Sequence, residues 1–424
     1  MKLIWISFIV EIIILSIVKP FLLNYDRVAI IAVLLHVILT LLILMGNKDK
    51  LNMVFLGAFL IRALLMLWDI YARSIYVLPN SGTDSEFFYQ QSLHFSNSLS
   101  TLLQDGGELY CKVIGFIFHF IGPQRMFGQY INVLLGFSIV VIIYKILSML
   151  EIKDHIQTII ILITAFFPNS IILSSIFLRE IFPTFLVAAS LYYFIKWYKT
   201  AKYTHMLLSI TILGLASMFH SGVIGIIIGY SFAFLFYKKE LQTFHINRRT
   251  CISFILITIV ILFGFIMLGD LILVKMNRLN NINDIYSAAN IRLGESAYLV
   301  NLEIDSPLGL AIFGPIKSIY FLTSPLPMNW RGFMDVFAFF SDSLLYLGVI
   351  IYHLMNRSKF ADKRALALSL IVSIIGAAFI FGIGVGNTGT AVRHRQKLIP
   401  LFIVLLAIMM DERQIYLNKR KLRN

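Results

Sequence analysis

Apolar runs about as long as a bilayer is thick recur along most of this chain. A helix rises ~1.5 Å per residue, so about 20 apolar residues cross the hydrocarbon layer. Inside that layer backbone N–H and C=O groups need internal partners, which leaves helices as the economical way to cross. The runs lie near residues 3–23, 28–46, 52–78, 127–149, 156–177, 181–198, 205–219, 222–237, 251–274, 332–355, 365–386 and 398–410. Only 14% of the 424 residues are charged, against about a quarter in a soluble domain. The expected fold is therefore all-α: one integral-membrane domain over residues 1–424, a polytopic bundle of about twelve spans. The first run carries Glu11, has no small-residue cleavage site and leads into further spans, so it reads as a retained span rather than a leader.

The net charge of +14 is distributed in a way that speaks against nucleic acid. It falls on alternate connections: Lys48 and Lys50; Lys153; Lys196, Lys199 and Lys202; Lys238, Lys239, Arg248 and Arg249; and Arg357, Lys359, Lys363 and Arg364. The tail 411–424 continues the series with Arg413, Lys419, Arg420, Lys421 and Arg423. Lys and Arg favour the cytoplasmic side, so both termini are expected there, with membrane lipids as contacts of the tail. Two cysteines, Cys111 and Cys251, make no disulfide framework. No phosphate-binding loop, dinucleotide fingerprint or HExxH pattern occurs, which argues against an ATP-driven pump or a zinc protease of that type.

Three longer segments then face outside: 79–126, 275–331 and 387–397. In the first, Phe88, Phe95, Leu99 and Leu102 follow helical spacing, predicting an interfacial helix. Residues 109–121 are apolar but short and end at Gly122-Pro123, predicting a second interfacial or re-entrant helix. The second segment carries Arg278, Asp284, Arg292, Glu295, Glu303 and Asp305, and closes on a turn from Ser324 through Pro325, Pro327 and Trp330 to Arg331. The third is Gly-rich from Gly382 to Gly389, then basic at Arg393, His394, Arg395 and Lys397.

Chemistry is expected in these segments. Thr83 and Glu86 fit a capping box, which accounts for Glu86 more fully than for Asp84. Asp84 next to Phe87, Phe88 and Tyr89 is placed to take a proton from a hydroxyl. Glu108 is a further acid of the same segment. Arg179 and Glu180 sit at the outer end of a span, where charge is costly and faces a cavity or a partner. Glu11, Arg62 and Asp69, deeper in spans, read as interhelical pairs. Arg331, Arg393, Arg395 and Lys397 are outside cations, and a guanidinium fork suits phosphate oxygens or lipid headgroups. His220 and His394 have the near-neutral chemistry of proton shuttles, although an isolated His is commonly structural. Carboxylates suit activation of an acceptor hydroxyl and guanidiniums suit a phosphate leaving group. A lipid-linked phospho-sugar uses both.

The order of these motifs resembles the GT-C superfamily of integral-membrane glycosyltransferases, nearest to bacterial protein mannosyltransferase and aminoarabinose transferase relatives. Gly82-Thr-Asp84-Ser-Glu86-Phe-Phe-Tyr89 looks like that family's acidic motif in the first outside loop. Gly122-Pro123 through Asn132 to Gly136 looks like its following segment. Phe167-Pro168 through Arg179-Glu180 looks like its "P…R-D" stretch, and Arg393-His-Arg395 to Pro400 its "R-Y-R-x-x-x-x-P" opening. The resemblance implies Asp84 as catalytic base or metal contact and Glu180 as the second acid, and Arg393 and Arg395 as the holders of the donor phosphate. Residue type and sidedness add Glu86, Glu108 and Arg179 on the acid side and Arg331 on the phosphate side. A divalent metal is the one cofactor the resemblance admits. Glu180 stands where Asp is commoner, no large outside C-terminal domain follows, and three spans rather than one precede the acidic loop.

The expected activity is transfer of a sugar from a polyprenyl-phosphate donor to a cell-surface glycan or lipid acceptor, outside the plasma membrane. A polysaccharide polymerase acting on lipid-linked oligosaccharides is the alternative of the same kind. A transporter or flippase, with broken helices at Gly122-Pro123 and 382–389 around a midplane site, is the alternative of another kind. An assembly partner without chemistry is the third.

Overall fold

The apolar runs fold as helices, and the polar breaks between them as caps and turns. The structure is a computed structural model and describes residues 1–22, 25–47, 49–259, 290, 296–356 and 362–421. Arg278, Asp284, Arg292 and Glu295 lie outside the described residues, as do Lys48, Arg357, Lys359, Arg423 and the latter part of the expected span 251–274.

The helices of the first half are α1 (Lys2–Val18), α2 (Tyr25–Met45), α3 (Asn52–Tyr71), α4 (Thr83–Ser96), α5 (Leu99–Gln104) and α6 (Leu109–Ile121). They continue with α7 (Arg125–Met149), α8 (Asp154–Phe166), α9 (Pro168–Ser175), α10 (Ile181–Thr200), α11 (Tyr203–Phe219) and α12 (Ile226–Phe236). Residues 248–259 are helical as well. The remainder comprises α13 (Pro307–Thr323), α14 (Phe333–Ala338), α15 (Leu344–Asn356), α16 (Arg364–Gly384), α17 (Thr388–Arg395) and α18 (Ile399–Lys421). Strand pairing among the described residues is confined to a two-residue hairpin, Tyr237 with Phe244 and Lys238 with Thr243, and one bridge between Ala297 and Asn387.

Among the described residues, six stretches are long and apolar enough to cross a membrane: Lys2–Phe21, α2, α3, α7, Phe333–Asn356 and α16. The pair α8 and α9, bent by 45° at Phe167-Pro168, makes a seventh as a broken span or a re-entrant loop. Of the other expected spans, 205–219 falls on the shorter helix α11 and 222–237 on α12 with the 3-10 turn before it, 181–198 lies within α10, and 398–410 runs from the turn before α18 into that helix.

Contacts gather the chain into two compact units, Met1–Ile142 with Ile161–Phe185, and Ile143–Ile160 with Leu186–Asn424. In the first unit, Phe8, Phe59, Phe127 and Tyr130 form an aromatic core between α1, α2, α3 and α7. Its polar exception is His36, whose ring nitrogens meet Ser7 Oγ at 2.9 Å and Tyr130 Oη at 2.7 Å. α4 lies against α6. Phe88 and Phe95, expected to face a membrane interface, are buried instead. Phe95 fits over Gly115, where an added Cβ would come within 2.5 Å of the Phe95 Cβ.

The second unit is organised on α16, which packs against α12, α13 and α18. Small residues let the α16 backbone approach its neighbour closely; a Cβ on Gly225 would lie 2.5 Å from the Gly376 carbonyl oxygen. α13 falls inside the segment 275–331 expected to be an outside loop. Ser306 caps it by accepting from the Gly309 N–H at 3.1 Å, and Pro307 occupies its first turn. Pro315 and Lys317 interrupt its apolar pattern, yet Lys317 is buried and donates to the Ile383 carbonyl at 3.0 Å. Lys153, Lys199 and Lys363, assigned to the same side by charge, line one cleft of about 290 Å³ with Glu151 and Asp411. Lys199 pairs with Glu151 and Lys363 with Asp411, each at 2.8 Å.

Candidate functional site

The first unit builds a layered cluster of carboxylates and guanidiniums from α3, α4, α6, α7 and the segment after α9. It begins with the cap of α4. The Gly82 N–H donates to Ser85 Oγ at 3.0 Å, so the box is one position earlier than the Thr83–Glu86 pairing expected from sequence. Glu86 is thereby released from capping. Arg73 donates to Glu86 Oε1, and Arg125 Nη1 reaches both carboxylate oxygens at 2.8 and 2.9 Å. Burial pushes the Glu86 carboxyl up, but the hydrogen bonds and charges of Arg73 and Arg125 outweigh it and hold its pKa below the usual carboxylate value.

Beneath this pair lies Asp69, fully buried. It accepts from Ser81 Oγ at 2.5 Å and from Gln129 Nε2 at 2.6 Å, with Arg73 at 3.9 Å and Arg125 at 3.8 Å. The expected interhelical pairing is met by Asp69, with Gln129 and Arg125 of α7, and by Arg62, with Ala165 of α8 and Ser174 of α9, and is corrected for Glu11. Asp69 belongs to this cluster. Arg62 bonds to carbonyls and a hydroxyl, and Glu11 makes no ion pair among the described residues.

Asp84 sits on the exposed side of α4 with Phe87. Two of its expected apolar neighbours engage other rings: Phe88 meets Tyr110 at 5.9 Å, and Tyr89 meets Phe177 at 5.4 Å. Glu108, just before α6, accepts from Arg179 Nη1, and the Arg179 guanidinium lies 5.6 Å from the Phe88 ring centre. Glu180 is fully buried beside it in sequence.

Arg179 and Glu180 are positioned by the break between α8 and α9. Pro168 cannot continue the hydrogen-bond ladder, so carbonyls near the bend need other donors. Arg62 supplies them, Nη1 to the Ala165 carbonyl at 2.9 Å and Nε to Ser174 Oγ at 3.1 Å. Past α9, Asn132 Nδ2 donates to the carbonyls of Ile176 at 2.8 Å and Leu178 at 2.9 Å. Gly136, one turn on, admits α9; a Cβ there would lie 2.4 Å from the Ser174 Cβ. Three of the quoted sequence stretches, Gly82–Tyr89, Gly122–Gly136 and Phe167–Glu180, thus meet in one unit.

The second unit holds the cations expected to lie outside. Arg395 has no exposed surface. Its guanidinium pairs with Asp342 and donates to the carbonyls of Phe321 at 3.1 Å and Ser324 at 2.6 Å and to Ser343 Oγ at 2.7 Å. A π-helical turn, Phe339–Ser343, brings Asp342 and Ser343 there. Arg395 therefore fastens the Ser324–Arg331 turn, a different use from the phosphate contact expected of it. Arg393 is half-buried. His394 Nε2 lies 3.3 Å from His220 Nε2, and Lys397 Nζ donates to His394 Nδ1 at 3.1 Å, so neither imidazole is isolated. Arg331 is exposed, forks onto Asp335 at 2.9 Å through two nitrogens, and lines an open groove of about 490 Å³ with Ser296 and Met334.

From the sequence, neither Arg73, Arg125, Gln129 nor Asp342 is singled out, and Asn132 has a place in a resembling stretch but no role. A signal was present for three of them: Arg125, Gln129 and Asn132 recur at helical spacing on one face of an apolar helix. Among the described residues no three His, Cys, Asp or Glu side chains gather as a metal site. Comparison with known proteins gives no matching family model, no matching curated protein and no matching solved structure.

Proposed function

We propose that this chain is a membrane glycosyltransferase that moves a sugar from a polyprenyl-phosphate donor to a cell-surface glycan or lipid acceptor, on the outer face of the plasma membrane. The observation that carries this reading is the cluster of the first unit, where the acidic loop, the Asn132 segment and Arg179-Glu180 assemble at the ends of apolar helices. Carboxylates held by guanidiniums next to lipid-facing surface suit a substrate with hydroxyls, a phosphate and a hydrocarbon tail.

In this mechanism the exposed Asp84 carboxylate takes the proton from the acceptor hydroxyl. The hydroxyl oxygen bonds to the sugar's anomeric carbon, and the lipid phosphate departs with the electron pair of the broken bond. Glu108 and Glu180 support the acid side, with Arg179 holding Glu108. Arg393 and Arg331 are the cations that the resemblance and residue type assign to the phosphate, and Arg395 keeps the turn before Arg331 in shape. The topology that goes with this reading has about twelve spans and both termini in the cytoplasm.

The test is made in a strain that depends on the gene, with Asp84→Asn and Arg393→Ala. Both are expected to lose surface glycan and accumulate a lipid-linked sugar at normal protein level. Normal glycan in both variants would remove the transferase reading.

A further inference from the structure

Buried polar atoms usually have partners, and exceptions that cluster call for an explanation. In the first unit they cluster on α7 and at Arg179. Gln129 and Asn132 are fully buried, yet among the described residues Gln129 Oε1 and Asn132 Oδ1 accept no hydrogen bond. Arg125 Nε and Nη2 and Arg179 Nε are likewise buried without a hydrogen-bond acceptor among those residues. Arg125 Nη2 is 3.8 Å from Asp69, within reach of its charge but beyond hydrogen-bond distance.

The orientation of both amides is fixed. Asn132 Nδ2 faces two carbonyls and Gln129 Nε2 faces a carboxylate, none of which can donate. The atoms left over are therefore two acceptors and three donors. Arg125, Gln129 and Asn132 are spaced to share one face of α7, over a rise of about 10 Å. Arg179 is tied to the same face, because Asn132 holds the carbonyl of the preceding Leu178. Aromatic rings flank the stripe: Arg125 lies 5.3 Å from the Tyr89 ring centre, and Asn132 Nδ2 is 3.4 Å from Tyr110 Oη.

We propose that the Arg125–Gln129–Asn132 face of α7, together with Arg179, is a subsite for the hydroxyls of a sugar carried on a phosphate. A hydroxyl both donates and accepts, so a ring bearing several of them satisfies amide oxygens and guanidinium N–H groups alike. The guanidiniums add preference for a ligand with negative charge. The identity of that sugar as the donor's rests on the transferase reading; its binding here does not.

The test uses the full-length chain in lipid nanodiscs, titrated calorimetrically with short-chain prenyl-phosphate hexoses and pentoses. Arg125→Lys and Arg179→Lys keep the positive charge opposite Glu86 and Glu108 but delete the unaccepted Nε–H groups. Each is expected to weaken binding roughly tenfold, the effect of one charge-assisted hydrogen bond, beyond the fall in ligand-free unfolding temperature that the lost guanidinium contacts bring. Absence of binding to every probe overturns the proposal, as does equal binding by wild type and both variants. Binding that the variants weaken, together with normal glycan in Asp84→Asn and Arg393→Ala, keeps the subsite and removes the transferase. Lost glycan in those two strains without any such binding removes the subsite and keeps the transferase.

Discussion

Glu86 illustrates how one residue's role depends on partners far away in sequence. Its local pattern points to a cap, whereas Arg73, in the turn after α3, and Arg125, on α7, take its carboxylate. Because its pKa is depressed, the interaction stabilises the fold above the ordinary carboxyl value of 4.5 and is lost as pH falls through the lower folded value. Glu86→Gln is expected to lower stability by about 1 kcal/mol at neutral pH, a small figure because the side chain is 41% exposed. The same variant should flatten part of the acid decline in melting temperature, and an unchanged acid limb would refute the assignment. Arg395 belongs at the other extreme of burial. Asp342→Asn should cost about 3–5 kcal/mol, since it leaves a buried guanidinium uncompensated. The double replacement Arg395→Met with Asp342→Leu should recover much of that loss in a denaturation series. Such pairs were illegible beforehand because nothing local links Asp342 to Arg395, or His220 to His394, across 174 positions.

At the scale of elements, sequence served well where the physics is local. Long apolar runs became helices because hydrocarbon and backbone hydrogen bonding together leave few other forms. The break at Phe167-Pro168 was not expected, because the apolar run 156–177 reads as one span even though Pro168 carries the chemistry that interrupts it. α13 was missed because Pro315 and Lys317 resemble loop residues until Ile383 is seen to accept from the lysine. The bend between α8 and α9 invites a direct test. Gly136→Val should force Ser174 away and destabilise the fold by about 1–3 kcal/mol, the usual penalty of overpacking. Surface glycan should fall with it, since Arg179 and Glu180 follow from the placement of α9. A Gly136→Val protein with wild-type melting and wild-type glycan would show that the close approach is unimportant. Gly136→Ala, with fewer added atoms, is expected to fall between.

For the whole molecule, charge sidedness is the claim with the widest consequences. Lys153, Lys199 and Lys363 come from separate connections and line one cleft, as a shared side requires. With Cys111 and Cys251 replaced, single cysteines at Lys199 and Gln242 should react from one side of sealed vesicles. Cysteines at Asp84 and Arg331 should react from the other. Labelling of Asp84 and Lys199 from the same side would contradict the topology. Arg62 adds a condition on how the chain is made. It is placed within α3, but the carbonyl of Ala165 that accepts from it is synthesised 103 residues later. An arginine at the centre of a lone helix opposes entry into lipid by about 2.5–3.5 kcal/mol. During biogenesis α3 is therefore poorly suited to release into the bilayer by itself. It should linger at the insertion machinery until the α8–α9 segment emerges, so that the two partition into lipid together.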